Sequence, residues 1–201
     1  FSSKNLRECY RRGAEAFGWD RRSGAPRSMR EGRELIGWGM ATGVWEALQM
    51  PITVRIALTS NGHAEVSCAT ADIGTGTYTI MTQVAADVLG LPIEAISIKL
   101  GDSTLPQSPV EGGSWMAASV SNGIVTTGKA IRDDLLKLAQ HIPGSPFKGL
   151  SNDEVMLVDG AITSRANRRD AIAIADVVRA ASIDRIERKE QTTFAKDKAH
   201  A

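Results

Sequence analysis

A glycine–threonine turn between a strand-like stretch and a helix-like one constrains this chain more than any other feature. Residues 72–79 read Asp-Ile-Gly-Thr-Gly-Thr-Tyr-Thr. Before them Ile52, Val54, Ile56 and Leu58 alternate with the two-residue period of a strand that buries one face. Ser60-Asn61-Gly62 is a turn signal and Ala64 to Cys68 continues beyond it, so 52–69 predicts a hairpin. After the turn, Ile80, Val84 and Val88 recur every fourth residue with Met81 and Ala85 beside them. This predicts a helix over 77–89 whose buried face carries that row. Gly90 suits the left-handed stop and Pro92 blocks continuation.

The remaining pattern extends this mixed layout. Leu6, Tyr10, Ala14 and Phe17 predict a helix over 3–18, capped by Ser2 or Ser3. Residues 19–34 carry Arg21, Arg22, Arg27, Arg30 and Arg33 and read as a solvated loop, or as a basic strip docking on another subunit or on phosphates. Leu35 to Val44 is apolar and glycine-spaced, opening the β-rich stretch. Trp19, Trp38 and Trp45 read as packing residues. Ile96, Ile98 and Leu100 predict a strand over 93–100, then a loop over 101–118 and a helix over 118–140 with Ile131, Leu135 and Leu138 in its apolar stripe. Val155 to Thr163 reads as a short hairpin turning at Asp159-Gly160. A helix follows from Arg169 or Asp170 to Ala181, with Ile172, Ala175 and Val178 inward, and 185–194 reads as a strand. The expected fold class is α+β, with helices packed on a mixed, mostly antiparallel sheet and a smaller appended segment. Three divisions are expected: 1–34, a helix and basic linker; 35–142, the core; and 143–201, an appended hairpin and helix.

Composition removes several function classes. The 201 residues carry 24 basic and 23 acidic side chains, a net charge of +1, which gives no electrostatic case for nucleic acid or a membrane surface. Cys9 and Cys68 form no C-x-x-C pair, so neither structural zinc nor an iron–sulfur cluster is expected on this chain, and both thiols are expected free and buried. No apolar run approaches the ~18 residues of a membrane span. The chain is expected in the cytoplasm or the periplasm. Its abrupt start at Phe1 reads as that of a piece cut from a longer protein.

Two loops carry the chemical interest. In the first, Gly74 and Gly76 let the backbone take positive φ and let a ligand approach the main chain closely. The helix start beyond them leaves outward-facing N–H groups, a ready anion site. No Lys-Ser/Thr follows, so this is not a Walker A loop. A tight strand-to-helix turn with no ligand is the alternative. The second loop reads Val110-Glu-Gly-Gly-Ser-Trp-Met-Ala-Ala-Ser-Val-Ser121. Ser114, Ser119, Ser121 and the backbone near Gly113 offer donors, and Trp115 offers a face to stack on, or else sits in the core. Glu111 is a lone carboxylate, and Ser114 lacks the G-x-S-x-G context of a nucleophile.

At these loops the sequence resembles the molybdopterin-binding large subunits of the xanthine dehydrogenase and aldehyde oxidoreductase family, and in detail it is most similar to the bacterial aldehyde oxidoreductase type. Leu35-Ile-Gly-Trp-Gly-Met-Ala41 resembles a glycine-spaced strand of that family, Ala71 to Thr79 its G-x-G-x-x-T cofactor loop, and Ala85 to Pro92 the following helix and its stop. Gly101-Asp102-Ser103 and Gly112-Gly113-Ser114 match two further family stretches. The resemblance implies a molybdenum cofactor, a pterin dithiolene in its cytosine dinucleotide form, with iron–sulfur clusters and FAD on partner subunits. It implies hydroxylation of an aldehyde or N-heterocycle with oxygen from water. Carried onto this sequence, Gly74, Thr75, Gly76 and Thr77 would hold the cofactor through backbone amides. Gly112, Gly113 and Ser114, with Ala118 and Ser119, would form the second wall. Many relatives have Gln where Thr75 stands. The family's glycine–phenylalanine loop and its Gly-x-Gly-Glu glutamate base do not occur in these residues. The resemblance therefore implies a fragment with part of a cofactor site, no catalytic residue, and no activity alone. A free-standing phosphate or nucleotide-binding module and a structural assembly domain are the alternatives.

Overall fold

The computed structural model describes residues 4–45 and 48–193. Contacts divide the chain after residue 45 into two compact units.

The first unit is built around α1 (Leu6–Phe17). Gly18 ends the helix at φ 78°, where its amide reaches the carbonyls of Ala14 and Glu15. The capping position falls on Asn5, whose side chain makes no capping bond; the expected caps Ser2 and Ser3 lie outside the described residues. No α1 residue is buried. Its polar face is a ladder in which Arg11 and Arg12 both bond Glu8. Those two guanidinium contacts pull the Glu8 carboxyl down to about 2. The segment expected to be only loop holds one helical turn at Trp19–Arg21 and a two-rung ladder between β1 (Arg30–Glu31) and β2 (Glu34–Leu35). Beyond Leu35 the glycine-spaced stretch forms no strand. Trp38 does pack, edge-on to Phe17 at 4.9 Å, and the Arg22 guanidinium covers Trp19 at 4.7 Å. Trp45 does not fit the packing expectation, since it is 73% exposed.

The second unit holds a four-stranded sheet. The hairpin appears as β3 (Thr53–Thr59) and β4 (Ala64–Ser67), with Ile52, Val54, Ile56 and Leu58 buried on one face. Next comes α2 (Thr77–Leu89), the crossover that lets β5 (Ile96–Lys99) lie parallel to β4. The long α3 (Met116–His141) covers the sheet. Two glycines set how closely it packs. A Cβ at Gly123 would stand 2.5 Å from Val54 Cγ2, and one at Gly128 would stand 2.2 Å from Val88 Cγ1. The other sheet face is polar, where Arg55 bonds Glu65 at 3.0 Å and Lys99 bonds Glu65 at 2.7 Å. An antiparallel sheet covered on one side is expected to show this asymmetry.

The buried face of α2 differs from the one its periodicity suggests. Met81, Ala85, Ala86 and Leu89 are buried, while Ile80, Val84 and Val88 are half-buried. The helix touches β5 on one side and α3 on another, so it is apolar around more than one stripe.

After α3 come β6 (Val155–Val158) and β7 (Ala161–Ser164), joined by Asp159 and Gly160 at φ 51° and 72°, a two-residue turn with both centres left-handed. The next residues form β8 (Ala171–Ala173), a third strand where a helix start was expected, and only then α4 (Ile174–Ala180). Ile174, Val177 and Val178 are buried there, so the inward set is not Ile172, Ala175 and Val178. The small sheet is fastened to α2, because Gly160 N donates to Gly90 O at 2.7 Å. Gly90 must lack a side chain, since a Cβ would lie 2.3 Å from the Leu157 carbonyl carbon. Finally β9 (Arg185–Gln191) returns and pairs with β3 from Thr53↔Gln191 to Thr59↔Arg185. The four-stranded order is β5-β4-β3-β9, mixed and mostly antiparallel, and the class is α+β.

Candidate functional site

Both glycine loops open onto one cavity of about 360 Å³. From the first loop and the start of α2 it is lined by Ile73, Thr75, Thr77 and Ile80; from the second loop and the start of α3, by Glu111, Gly112, Gly113, Ser114, Met116 and Ala117. The loops meet because the segment after β4 runs beside the segment after β5. Ala69 N donates to Pro106 O and Gly101 N to Thr70 O, both at 2.7 Å.

Glu111 ties the two loops directly. Its Oε1 accepts from Thr70 Oγ1 and from Ala71 N, each at 2.8 Å. One carboxylate thus satisfies a hydroxyl and a loop amide that would otherwise lack partners. It holds loop residues and is not presented as a lone base.

The first loop is organised around Asp72. Its Oδ1 accepts from Gly74 N at 2.9 Å and Gly76 N at 3.1 Å, and its Oδ2 accepts from Tyr78 N at 3.3 Å. Partial desolvation pushes the Asp72 carboxyl up, but the amides of Gly74, Tyr78, Gly76 and Thr77 together outweigh it and hold the group below its ordinary value. Gly74 and Gly76 sit at φ 100° and 81°, and a Cβ on either would meet no atom within 4 Å. Their glycine character answers backbone conformation and open space, with no packed neighbour involved. The Thr75 and Thr77 hydroxyls lie 3.3 Å apart.

The second loop turns through two left-handed residues, Gly113 at φ 54° and Ser114 at φ 60°. Trp115 lies back over the loop. Its Nε1 donates to Val110 O at 2.8 Å, and a Cβ on Gly113 would stand 2.3 Å from its ring. Trp115 also packs against the hydrophobic core. Ser114 is exposed at the cavity edge. Ser119 is buried; its hydroxyl donates to Trp115 O at 2.7 Å and accepts from Met50 N at 2.9 Å. Ala118 is half-buried, and neither residue lines the cavity.

Thr75, Thr77, Gly112, Gly113 and Ser114 therefore share the cavity, and Ala118 and Ser119 stand behind its second wall. Gly74 and Gly76 lie in the first loop off the lining, and their amides, expected to face a cofactor, bond Asp72 instead. Sequence reasoning missed Asp72. The signal was present, because an Asp two residues before a glycine in a turn is a standard acceptor for the amides that follow. Burial raises the Cys68 thiol above its usual range, whereas Cys9 is exposed, so only one of the two cysteines is buried as expected. Apolar side chains surround the site, with Ile73 75% and Val110 76% exposed.

The sequence model of the family described as the molybdopterin cofactor-binding domain matches residues 12–201. The aldehyde oxidoreductase molybdenum-binding subunit PaoC of Escherichia coli (strain K12) is 35% identical over 164 residues, 82% of this chain and 21% of that protein. The nicotine 6-hydroxylase large subunit of Paenarthrobacter nicotinovorans is 31% identical over 148 residues, 73% of this chain and 17% of that one. The chain thus spans about a fifth of the length of these relatives. Among solved structures, Cu,Mo-CO dehydrogenase in its carbon monoxide reduced state superposes at TM-score 0.59 with 16% identity, covering 70% of this chain and 18% of that one. Quinoline 2-oxidoreductase from Pseudomonas putida 86 superposes at 0.55 with 21% identity, covering 70% and 19%. These two likenesses concern the fold.

Proposed function

Because this chain belongs to the family of molybdopterin cofactor-binding domains, we propose that it forms one wall of the molybdenum-cofactor site in the large subunit of a hydroxylase acting on aldehydes or N-heterocycles. The observation that carries this reading is the convergence of both glycine loops on one cavity.

The residues present fit such a group. The cavity wall offers the Thr75, Thr77 and Ser114 hydroxyls and the backbone of Gly112 and Gly113 beside apolar Ile73, Ile80 and Met116, a mixed surface suited to a heterocyclic group, and the space around Gly74 and Gly76 is open. When bound, the cofactor would supply the redox-active metal for hydroxylation. Thr75 and Thr77 would offer hydroxyls to it, and Gly112, Gly113 and Ser114 would approach with the main chain. Gly74 and Gly76 would keep the first loop open. Ala118 and Ser119 would brace the first turn of α3, Ser119 through its bonds to Trp115 and Met50. The cytosine dinucleotide form of the cofactor, iron–sulfur and FAD partner subunits, and a base contributed from elsewhere in the large subunit belong to the same proposal. A free-standing nucleotide module is disfavoured, because the loop amides such a module would turn to phosphate already bond Asp72.

The test is to purify the assembled enzyme containing this chain, release and oxidise its pterin, and measure pterin fluorescence and molybdenum per subunit. Near-stoichiometric amounts are expected. An enzyme that lacks both while its large subunit is folded rules the reading out.

A further inference from the structure

We propose that Asp72 is the positioning residue of the cofactor loop: its carboxylate takes the place of a ligand anion at the amino end of α2, so the loop meets the cofactor through the Thr75 and Thr77 hydroxyls and faces an uncharged, hydrogen-bonding edge. This rests on the cofactor reading above and specifies which part of the ligand the loop takes.

A bare helix start has four N–H groups without helical partners and attracts phosphates. At α2 two of them, Gly76 N and Tyr78 N, are already engaged by a carboxylate tethered in the same loop, which also holds Gly74 N just before the helix. A phosphate arriving there would have to displace a group held at three points and would then lie beside its negative charge. Opposed anions at such separations repel. What the loop turns to the cavity is different in kind. Thr75 and Thr77 line the cavity, Thr75 exposed and Thr77 buried in its wall. Their hydroxyls bond each other at 3.3 Å, and the pair keeps one O–H and acceptor lone pairs for a ligand. A hydroxyl pair of this sort matches a neutral edge that presents both kinds of group. The charged end of the ligand is left to other walls of the site.

The alternative, in which a ligand anion displaces Asp72, predicts the opposite sign. Removing the carboxylate would then free the amides and leave cofactor retention unchanged or improved. The experiment is performed on the assembled enzyme, with pterin per subunit as the readout. Asp72→Ala is expected to retain at least tenfold less pterin than wild type. Asp72→Asn keeps the shape without the charge, and Asp72→Glu keeps the charge on a longer arm. The glutamate variant is expected to recover part of what the asparagine variant loses. Thr75→Val, which leaves Asp72 in place, is expected to lose pterin several-fold. Wild-type or higher pterin in Asp72→Ala overturns the proposal, as does equal loss in the asparagine and glutamate variants or full retention in Thr75→Val. If Asp72→Ala does not fold, the asparagine and glutamate pair decides, with the melting temperature of each recorded. A pterin-free wild type would instead remove the cofactor reading itself.

Discussion

The loop that opens α2 is held by a carboxylate, whereas the loop that opens α3 is held by a ring. In the first, Asp72 gathers the amides of Gly74, Gly76 and Tyr78, and the glycines have open space around them. In the second, Trp115 folds back over Gly113, bonds Val110 O and anchors in the core. The first loop is thus shaped by electrostatics and backbone conformation, the second by packing. A loop shaped by bonds to its own backbone can stay open on its ligand side. A loop shaped by an aromatic plug couples its geometry to the core. The two should respond differently to the same kinds of damage.

Removal of the plug is expected to have the largest effect on stability. Trp115→Ala deletes a half-buried ring and its bond to Val110, a loss of about 2–4 kcal/mol. Urea unfolding of the chain should show a lower midpoint with little change in slope. A midpoint within the error of wild type would mean that Trp115 does not brace the loop.

In the first loop, the damaging change is to the backbone. Gly76→Val forces a β-branched residue to φ 81°, which costs about 2 kcal/mol. No packed neighbour would be struck, so the cost is conformational. The larger consequence is for binding, because a strained turn at position 76 would displace Thr75 and Thr77, which line the cavity on either side of it, and pterin in the assembled enzyme is expected to fall below detection. Full molybdenum content in this variant would mean the loop does not hold the cofactor.

Glu111 belongs to both loops and tests whether they are independent. Glu111→Ala strips Ala71 N and Thr70 Oγ1 of their acceptor, at a cost of about 1–2 kcal/mol. Glu111→Gln keeps an oxygen in place and should cost less than half of that. Hydrogen exchange in the alanine variant is expected to rise at residues 70–78 as well as at 110–116. Faster exchange confined to one loop would show that the tie does not couple them.

How far the sequence revealed this arrangement depended on where the controlling contacts lie. The bounds of α2 were legible because Gly76 and Gly90–Pro92 bracket it locally. The Asp159-Gly160 hairpin was legible for the same reason. The buried face of α2 was not, since α3 lies some thirty residues onward and its placement depends on Gly123 and Gly128, whose significance appears only when β3 and Val88 are beside them. β8 was hidden by its three-residue length; β9 was legible as a strand within 185–194, but its pairing with β3, more than 120 residues away in sequence, was not. At the site, the glycines and Thr75, Thr77 and Ser114 stood out by pattern. Ser119 stood out as well, but its hydroxyl points back to Trp115 O and Met50 N, as a serine in the first turn of a buried helix readily does.

The smallest expected effect has the opposite sign. Ser114 is a non-glycine residue at φ 60°, directly after Gly113 at 54°. A left-handed conformation costs an L-residue about 1–2 kcal/mol, while glycine brings back part of that as chain entropy lost on folding. Ser114→Gly should therefore stabilise the chain by about 0.5–1 kcal/mol, raising the urea midpoint slightly. If the hydroxyl serves the ligand, the same variant should retain less pterin even as it grows more stable. Stability and retention moving in opposite directions would identify Ser114 as strained for the sake of the site. A rise in both would make the second loop a packing device whose contact with the ligand is carried by its main chain.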